Sequence, residues 1–456
     1  MGLASAWELV QQGYDVTVVD RATSGAGTSR ANGAQLSYSY VQPLADASIW
    51  RQLPKLLLAS DSPLKLRIQA DPAQWAWGLQ FLAACRDDVS RRTTEALLAL
   101  AARSRTGFDA MMAQTGLDCD FSATGKLVLY ADAAAFAGAQ RQMLLQRALG
   151  SVQHAVTAAQ CLAIEPALEA QAPRIAGAIH TPSECAADCF KVCEGLEASL
   201  RAQGVRFILD TEITGLVTDG ARLRAAQSTA GAIEADAFVL AMATGSVPLA
   251  RGLGVRLPVY PLKGYSVTVG AATERTWAPQ VSVTDAARKI VFARLGDRLR
   301  IAGMAELVGN DASIKDARIA TLLAAGRDVF PRASDYIAVD RWAGLRPATP
   351  TGLPIVGTLP NAPANLLFNT GHGALGFTLA FGTAQALLAP LRAAGRASPL
   401  VAAPTEVART PGICASAWRM QSVKARTNCE CGRAEGRRAC TKVCTAGSNA
   451  RISTRL

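Results

Sequence analysis

Met1-Gly2-Leu3-Ala4-Ser5-Ala6-Trp7-Glu8-Leu9-Val10-Gln11-Gln12-Gly13-Tyr14-Asp15-Val16-Thr17-Val18-Val19-Asp20 decides the fold. Its first part has the apolar spacing of a helix, which Gly13 ends. Tyr14 to Val19 is a β-branched run of the kind buried in parallel sheets, and Asp20 closes it. Helix, tight turn, strand and acid form the second half of a dinucleotide-binding βαβ unit. In the full fingerprint, G-x-G-x-x-G links a first strand to this helix. Gly2 takes the place of the third glycine, so the chain reads as starting inside the motif, through a late start site or as a fragment. A central strand buries about five apolar side chains at roughly 1.5–3 kcal/mol each. Its loss is comparable to a domain's whole stability of about 5–15 kcal/mol. Poor folding or weak cofactor binding is the expectation.

The rest of the chain is ordinary for a two-domain enzyme. It has 456 residues, half of them apolar and 18% charged. The formal charge of +11 is uneven: residues 409–456 hold ten Lys/Arg and two Glu, a net of +8, which leaves +3 for the other 408 residues. This near-neutral body argues against a nucleic-acid partner. Five of eleven cysteines also fall in the tail. The odd total and the absence of a charged-then-apolar leader favour a reducing, cytoplasmic setting. The uncharged stretch Asn361 to Leu391 is broken by Pro, Gly, Asn and His372, so it reads as a buried loop and helix.

Residues 53–178 are Ala/Leu-rich with helical periodicity, interrupted by a strand at Gly125 to Tyr130. Cys189 to Gly204 reads as a helix, followed by strands at Val205 to Leu209, 213–217 and 223–228. Ala237 to Gly245 is an apolar run ending in a small-residue turn. Val255 to Ala305 alternates as an antiparallel sheet does. Residues 314–330 and Phe377 to Leu391 return to helix. Beyond Pro404 the periodicity stops, and disorder is expected. Cys429, Cys431, Cys440 and Cys444 match no strong zinc spacing, so the tail reads better as translation in a shifted frame than as a metal-bound appendage. Cys185, Cys189 and Cys193, four apart, read as one packed helical face, with a metal or redox cluster as the alternative. No metal site is assigned.

Three segments carry chemistry. Asp20 can accept hydrogen bonds from both ribose hydroxyls of an adenosine, or be an ordinary turn aspartate. Trp342 to Gly357, WAGLRPATPTGLPIVG, is stiffened by prolines and glycines around Arg346, which suits bidentate capture of a carboxylate; the alternative is a surface arginine. Asn369 to Thr378, NTGHGALGFT, opens a helix with free backbone N–H groups. There His372 suits packing or hydrogen bonding near a cofactor better than catalysis.

These segments together resemble the FAD-dependent D-amino-acid dehydrogenases, within the D-amino-acid oxidase group. The matching stretches are GLASAWELVQQGYDVTVVDR, SRANGAQLSYSYVQP, VYPLKGYSVTV, RIAGMAELVG, WAGLRPATPTGLPIVG and NTGHGALGFTLAFG, in family order from Met1 to about residue 390. The resemblance implies an α/β fold: a Rossmann-like FAD-binding domain (1–52, 179–254 and 339–404) interleaved with a substrate domain on a mostly antiparallel sheet (53–178 and 255–338). Residues 405–456 would be a disordered basic tail. It implies that FAD is held by Gly2, Asp20, Arg21, Ser29, Asn32, Gly33, Gln35, Gly245, Gly344, Gly371, His372, Gly373, Gly376 and Thr378. Arg346 would anchor the substrate carboxylate, with Lys263 and Tyr265 near the active site. The implied reaction oxidises a D-amino acid to the imino acid, the Cα hydride passing to flavin N5, with water then giving 2-oxo acid and ammonia. Electrons would go on to a quinone or other respiratory acceptor, with loose association at the inner face of a bacterial inner membrane. An oxygen-using glycine or amine oxidase of the same fold, or an inactive fragment, are the rival readings. Two departures stand out: Thr351 replaces the Asp usual in a P-D-G turn, and Gly33-Ala34 reverses the usual Ala-Gly order beside the flavin.

Overall fold

The computed structural model describes residues 1–396 apart from Gln42, Ser48, residues 51–63 and Ile68, together with Ala417–Met420. Its opening follows from the local sequence. Gly2–Val10 is a helix whose Ala4, Ala6, Trp7 and Leu9 are buried, and Tyr14–Val19 is a strand buried along its second half.

That strand belongs to a six-stranded sheet, in the order Ile355–Gly357, Leu366–Thr370, Ala237–Leu240, Ala417–Met420, Tyr14–Val19 and Arg206–Ile208. Tyr14–Val19 runs parallel to Arg206–Ile208, and Ala237–Leu240 parallel to Leu366–Thr370. Ala237–Leu240 and Leu366–Thr370 are buried at every position, as strands covered on both faces must be. Between the two parallel pairs, Ala417–Met420 is antiparallel to both neighbours. This corrects the expectation of a wholly disordered tail: two facing strand edges leave backbone groups that an extended segment can pair. The other residues of 405–456 lie outside those described.

The second large sheet joins Ala338–Ala348, Tyr260–Gly270, Arg298–Leu307, Ile290–Leu295, Ser282–Asp285, Lys126–Tyr130, Gly177–Thr181 and His154–Val156, with Leu64–Leu66 beside Arg298–Leu307. Its pairings are antiparallel except for Ser282–Asp285 with Lys126–Tyr130, and Leu64–Leu66 with Arg298–Leu307. The mixed α/β architecture is therefore the one expected. Ala338–Ala348, grouped on sequence with the cofactor segments, pairs along Tyr260–Gly270 and so lies in this second sheet.

Two main cores position the site. One gathers the first helix, the long helix Asp87–Thr115 and the closing helix Gly376–Ala386 around Leu9, Phe108 and Phe381. The other packs Asp316–Val329 against the back of the second sheet through Leu322, Val267 and Ile301. The stretch Gly373–Arg392 is long and apolar enough to cross a membrane by length and composition, but half of it is buried. Leu379, Phe381, Ala384, Leu387 and Leu391 sit in the first core, as the reading of a buried helix anticipated.

Candidate functional site

The front of the second sheet is built from paired positions. Tyr260, Leu262, Gly264 and Ser266 stand opposite Ala348, Arg346, Gly344 and Trp342. Directly opposed residues share a face, so these eight form one surface. At its centre are two glycines side by side. A Cβ on Gly264 would overlap the Arg346 guanidinium, and one on Gly344 would overlap the Trp342 indole. Only glycine leaves Arg346 and Trp342 room to lie across this floor.

Arg346 is held from one side. Its Nη1 donates to the Met304 carbonyl at 2.9 Å, the one hydrogen bond it makes among the described residues. Met304 has φ +66°, at a bulge where Met304 and Ala305 stand against Gly264 alone. The bulge turns that carbonyl toward the arginine. Burial lowers the Arg346 pKa to about 10, so it stays cationic at neutral pH with donors left over.

The same face grips the loop that precedes Gln35. Ser266 Oγ donates to the Ala31 carbonyl (2.6 Å), and buried Arg300 donates to the Asn32 carbonyl (3.0 Å) and to Thr268 Oγ1 (2.7 Å). Asn32 Oδ1 accepts from the Ala34 amide, and the Ser37 amide donates to Thr378 Oγ1. Gln35 Nε2 reaches toward the Val283 and Phe292 carbonyls at 3.4 and 3.5 Å, so it ties the loop to the sheet. The reversed Gly33-Ala34 order has a visible consequence: the left-handed conformation, φ +59°, falls on Ala34. At the other departure, Thr351 Oγ1 accepts the Leu353 amide, a hydroxyl turn in place of an Asp turn.

Asp20 lies at the far end. It is exposed on the cavity rim, and Oδ1 accepts the Ala22 amide at 3.1 Å. The neighbouring atoms still desolvate its carboxyl enough to raise its pKa. One cavity of about 2200 Å³ joins this rim to Arg346. Gly2, Asp20, Arg21, Ser29, Asn32, Gly33, Gln35, Gly245, Gly344, His372, Gly373, Gly376 and Thr378 all border it. Gly371 stands just behind, φ +81°, against Thr349. His372 Nε2 is paired with Thr383 Oγ1 at 3.1 Å, and burial lowers its pKa to about 3. It is therefore a neutral ring at physiological pH, with Nδ1 buried and without a hydrogen-bond partner among the described residues.

Lys263 and Tyr265 are not brought together with Arg346. Strand alternation turns them to the opposite face. Tyr265 borders the cavity, but its hydroxyl donates to Glu306 Oε2 at 3.0 Å, and Arg318 holds the other Glu306 oxygen. Lys263 is fully buried, with Nζ 3.5 Å from Asp311 Oδ1. Cys185 is also displaced from its expected place: it lies in the strand Cys185–Ala186, ahead of the helix Cys189–Ala202 that carries Cys189 and Cys193. No group of three His, Cys, Asp or Glu among the described residues could hold a metal ion.

Several wall residues escaped sequence reasoning. Trp77, on the helix Pro72–Ala84, donates to the Ala348 carbonyl across 271 positions, a separation no local pattern reveals. Lys126 is buried in the cavity wall; its Nζ donates to Ser37 Oγ at 3.0 Å and lies 4.6 Å from the Tyr40 ring centre. Burial lowers the Lys126 pKa to about 8. The alternation at Gly125 to Tyr130 marks a strand but not which side chain faces the cavity.

The residues present fit an adenine dinucleotide flavin. The first helix directs an N-terminus with no side-chain cap at the cavity, Asp20 offers carboxylate acceptors on its rim, and the cavity is roomy enough to run from there to Arg346.

Comparison with known proteins agrees. The family model described as DAO, FAD dependent oxidoreductase, matches residues 1–389. A protein named D-amino acid dehydrogenase 2 from Pseudomonas aeruginosa is 47% identical over 390 residues, covering 85% of this chain and 91% of that protein. One of the same name from Ralstonia nicotianae is 46% identical over 421 residues, covering 90% and 98%. Among solved structures, glycine oxidase from Bacillus cereus superposes with a TM-score of 0.65 at 17% identity, over 86% of this chain and 92% of the other. L-proline dehydrogenase from P. horikoshii gives 0.64 at 17% identity, over 84% and 88%; both show the shared fold. With a cavity that fits the cofactor and a family match over most of its length, the chain belongs to the DAO family of FAD dependent oxidoreductases.

Proposed function

We propose that this chain oxidises D-amino acids to 2-oxo acids and ammonia, as the names of the two curated relatives above suggest. The observation that carries the reading is the single cavity joining Asp20 to an arginine whose spare donors face no carboxylate among the described residues. FAD, when bound, supplies the hydride acceptor. The side chains bind and orient. Arg346, fixed by the Met304 carbonyl, pairs with the substrate carboxylate and so sets where Cα–H points. Leu262, Trp342, Trp77 and Phe81 border the same cavity and shed water from the substrate side chain. Water then hydrolyses the released imino acid.

The acceptor in this reading is a quinone, with peripheral association at the inner face of a bacterial membrane. The helix Pro72–Ala84 supports it. Trp77 and Phe81 face the cavity, while Trp75 (54% exposed) and Leu79 (67%) point outward from a helix with no charged residue. Lys65 and Arg67 are exposed nearby in sequence. Vesicles of anionic lipid should sediment the protein, and Trp75→Ser with Leu79→Ser should abolish this. Equal sedimentation of both proteins would remove the helix from the proposal.

The activity is tested by loading the protein with FAD and adding D-alanine without oxygen. Bleaching of the flavin and reduction of an added dye are expected. Failure of every D-amino acid to bleach it would overturn the assignment. Peroxide released in air at the rate of turnover would make the protein an oxidase instead.

A further inference from the structure

The bulge beside Arg346 has a back as well as a front. On the front, the Met304 carbonyl meets Arg346 Nη1. In the register, Gly303 stands opposite Tyr265 before the bulge, and Glu306 stands opposite Lys263 after it. Opposed residues share a face, so Tyr265 and Glu306 both project from the back. There the Tyr265 hydroxyl donates to Glu306 Oε2 at 3.0 Å. This bond crosses the bulge and ties its two ends together.

A second bond fixes the same carboxylate. Arg318 Nε donates to Glu306 Oε1 at 2.7 Å. Arg318 stands on the helix Asp316–Val329, whose Ile319 and Leu322 are seated in the core behind the sheet. Glu306 is 1% exposed, so bulk water does not compete for either oxygen. Burying a charged pair carries a desolvation cost that apolar packing would avoid, so sheet stability alone does not call for one here. Two directional, charge-assisted bonds to one carboxylate add a fixed position.

We propose that Glu306 is a positioning residue for the substrate carboxylate: braced by Tyr265 and Arg318, it holds the bulge that aims the Met304 carbonyl at Arg346. Met304 is left-handed at φ +66°, a conformation that a side-chain-bearing residue keeps only where its surroundings hold it. With the tie across the bulge removed, Met304 relaxes and its carbonyl turns away. Arg346 then loses the one hydrogen bond it makes among the described residues. Glu306 does not border the cavity, so its action runs through the bulge and not through contact with substrate. The inference rests on Arg346 as the carboxylate anchor, and it names what keeps that anchor aimed.

The test is made on full-length, FAD-loaded protein, titrated with D-lactate and assayed with D-alanine. Glu306→Gln keeps the side chain's shape but leaves one acceptor oxygen for two donors. The D-lactate Kd and the D-alanine KM should each rise about tenfold, with kcat within about twofold and FAD content unchanged. Tyr265→Phe removes only the bond across the bulge and should also raise the D-lactate Kd; it carries the test if Glu306→Gln does not fold. In Arg346→Ala protein, adding Glu306→Gln should change kcat/KM by less than about twofold, because no guanidinium is left to misdirect. An equal loss in both backgrounds would mean that Glu306 supports the fold alone, and would overturn the proposal. Arg346→Ala protein that binds D-lactate as tightly as wild type would overturn the reading of Arg346 and this inference with it. Weakened binding in Arg346→Ala beside unchanged binding in Glu306→Gln and Tyr265→Phe would overturn this inference alone.

Discussion

The two ends of the cavity are built by different means. At the Arg346 end, two long strands pair residue for residue from Tyr260↔Ala348 to Thr268↔Asp340, with glycines placed where the arginine must lie. At the Asp20 end, the sheet depends on a four-residue segment some four hundred positions away in sequence. One end is preorganised by neighbouring strands of a continuous sheet, and the other by a contact that must close a very long loop. On the proposed roles of Arg346 and Asp20, the contrast predicts that substrate positioning and cofactor retention can be perturbed separately.

The largest effect expected is at the preorganised end. Arg346→Ala removes two charge-assisted hydrogen bonds to a carboxylate, each worth about 1.5–3 kcal/mol. The expected loss in kcat/KM is therefore on the order of 10²–10⁴, with FAD content unchanged. Steady-state rates with D-alanine check this, and loss of FAD instead would erase the separation between the ends. Gly264→Val should approach the same loss by displacing the guanidinium rather than deleting it. An unchanged KM there would mean that the arginine can bind from another position.

Asp20→Asn should do the opposite: weaken FAD about tenfold, roughly 1.4 kcal/mol, and leave the KM of the loaded enzyme alone. The Asp20 carboxyl is raised above its ordinary pKa, so it takes up a proton earlier as pH falls. FAD affinity should begin to drop while ordinary surface carboxylates are still ionised, and the Asn variant should lack that slope. Equilibrium titration of apoprotein with FAD at several pH values separates the two.

The smallest effect concerns the loop before Gln35, which borders the cavity between its ends. Ala34→Gly relieves a left-handed alanine and should stabilise the fold by about 1 kcal/mol. A calorimetric melt reads this directly. A lower melting temperature would mean that the methyl group's packing, with Ala34 2% exposed, outweighs the strain.

Much of this was legible because the chemistry was local. Asp20 closes a strand that helical and β-branched spacing define without help, and the prolines and glycines around Arg346 announce a rigid segment, although it is the end of the strand Ala338–Ala348 rather than a loop. Lys263 and Tyr265 show where sequence proximity stops being informative, although Tyr265 still borders the cavity. They neighbour the site in sequence, but alternation sends them to the back of the sheet, and only the pairing Leu262↔Arg346 reveals which parity faces the cavity. The Met304 bulge was invisible because its signal is a register shift against another strand. Ala417–Met420 was hidden by composition: a polar, basic tail predicts no core, yet backbone pairing asks little of side chains.

The most direct measurement is a spectral titration of the FAD-loaded protein with D-lactate, which keeps the substrate's carboxylate and lacks its amine. If Arg346 faces the ring across the glycine floor, D-lactate should perturb the flavin absorbance with saturation in the wild-type protein. The same titration should be flat in Arg346→Ala protein that still carries full FAD. A perturbation of equal size and midpoint in both would show that the carboxylate binds elsewhere.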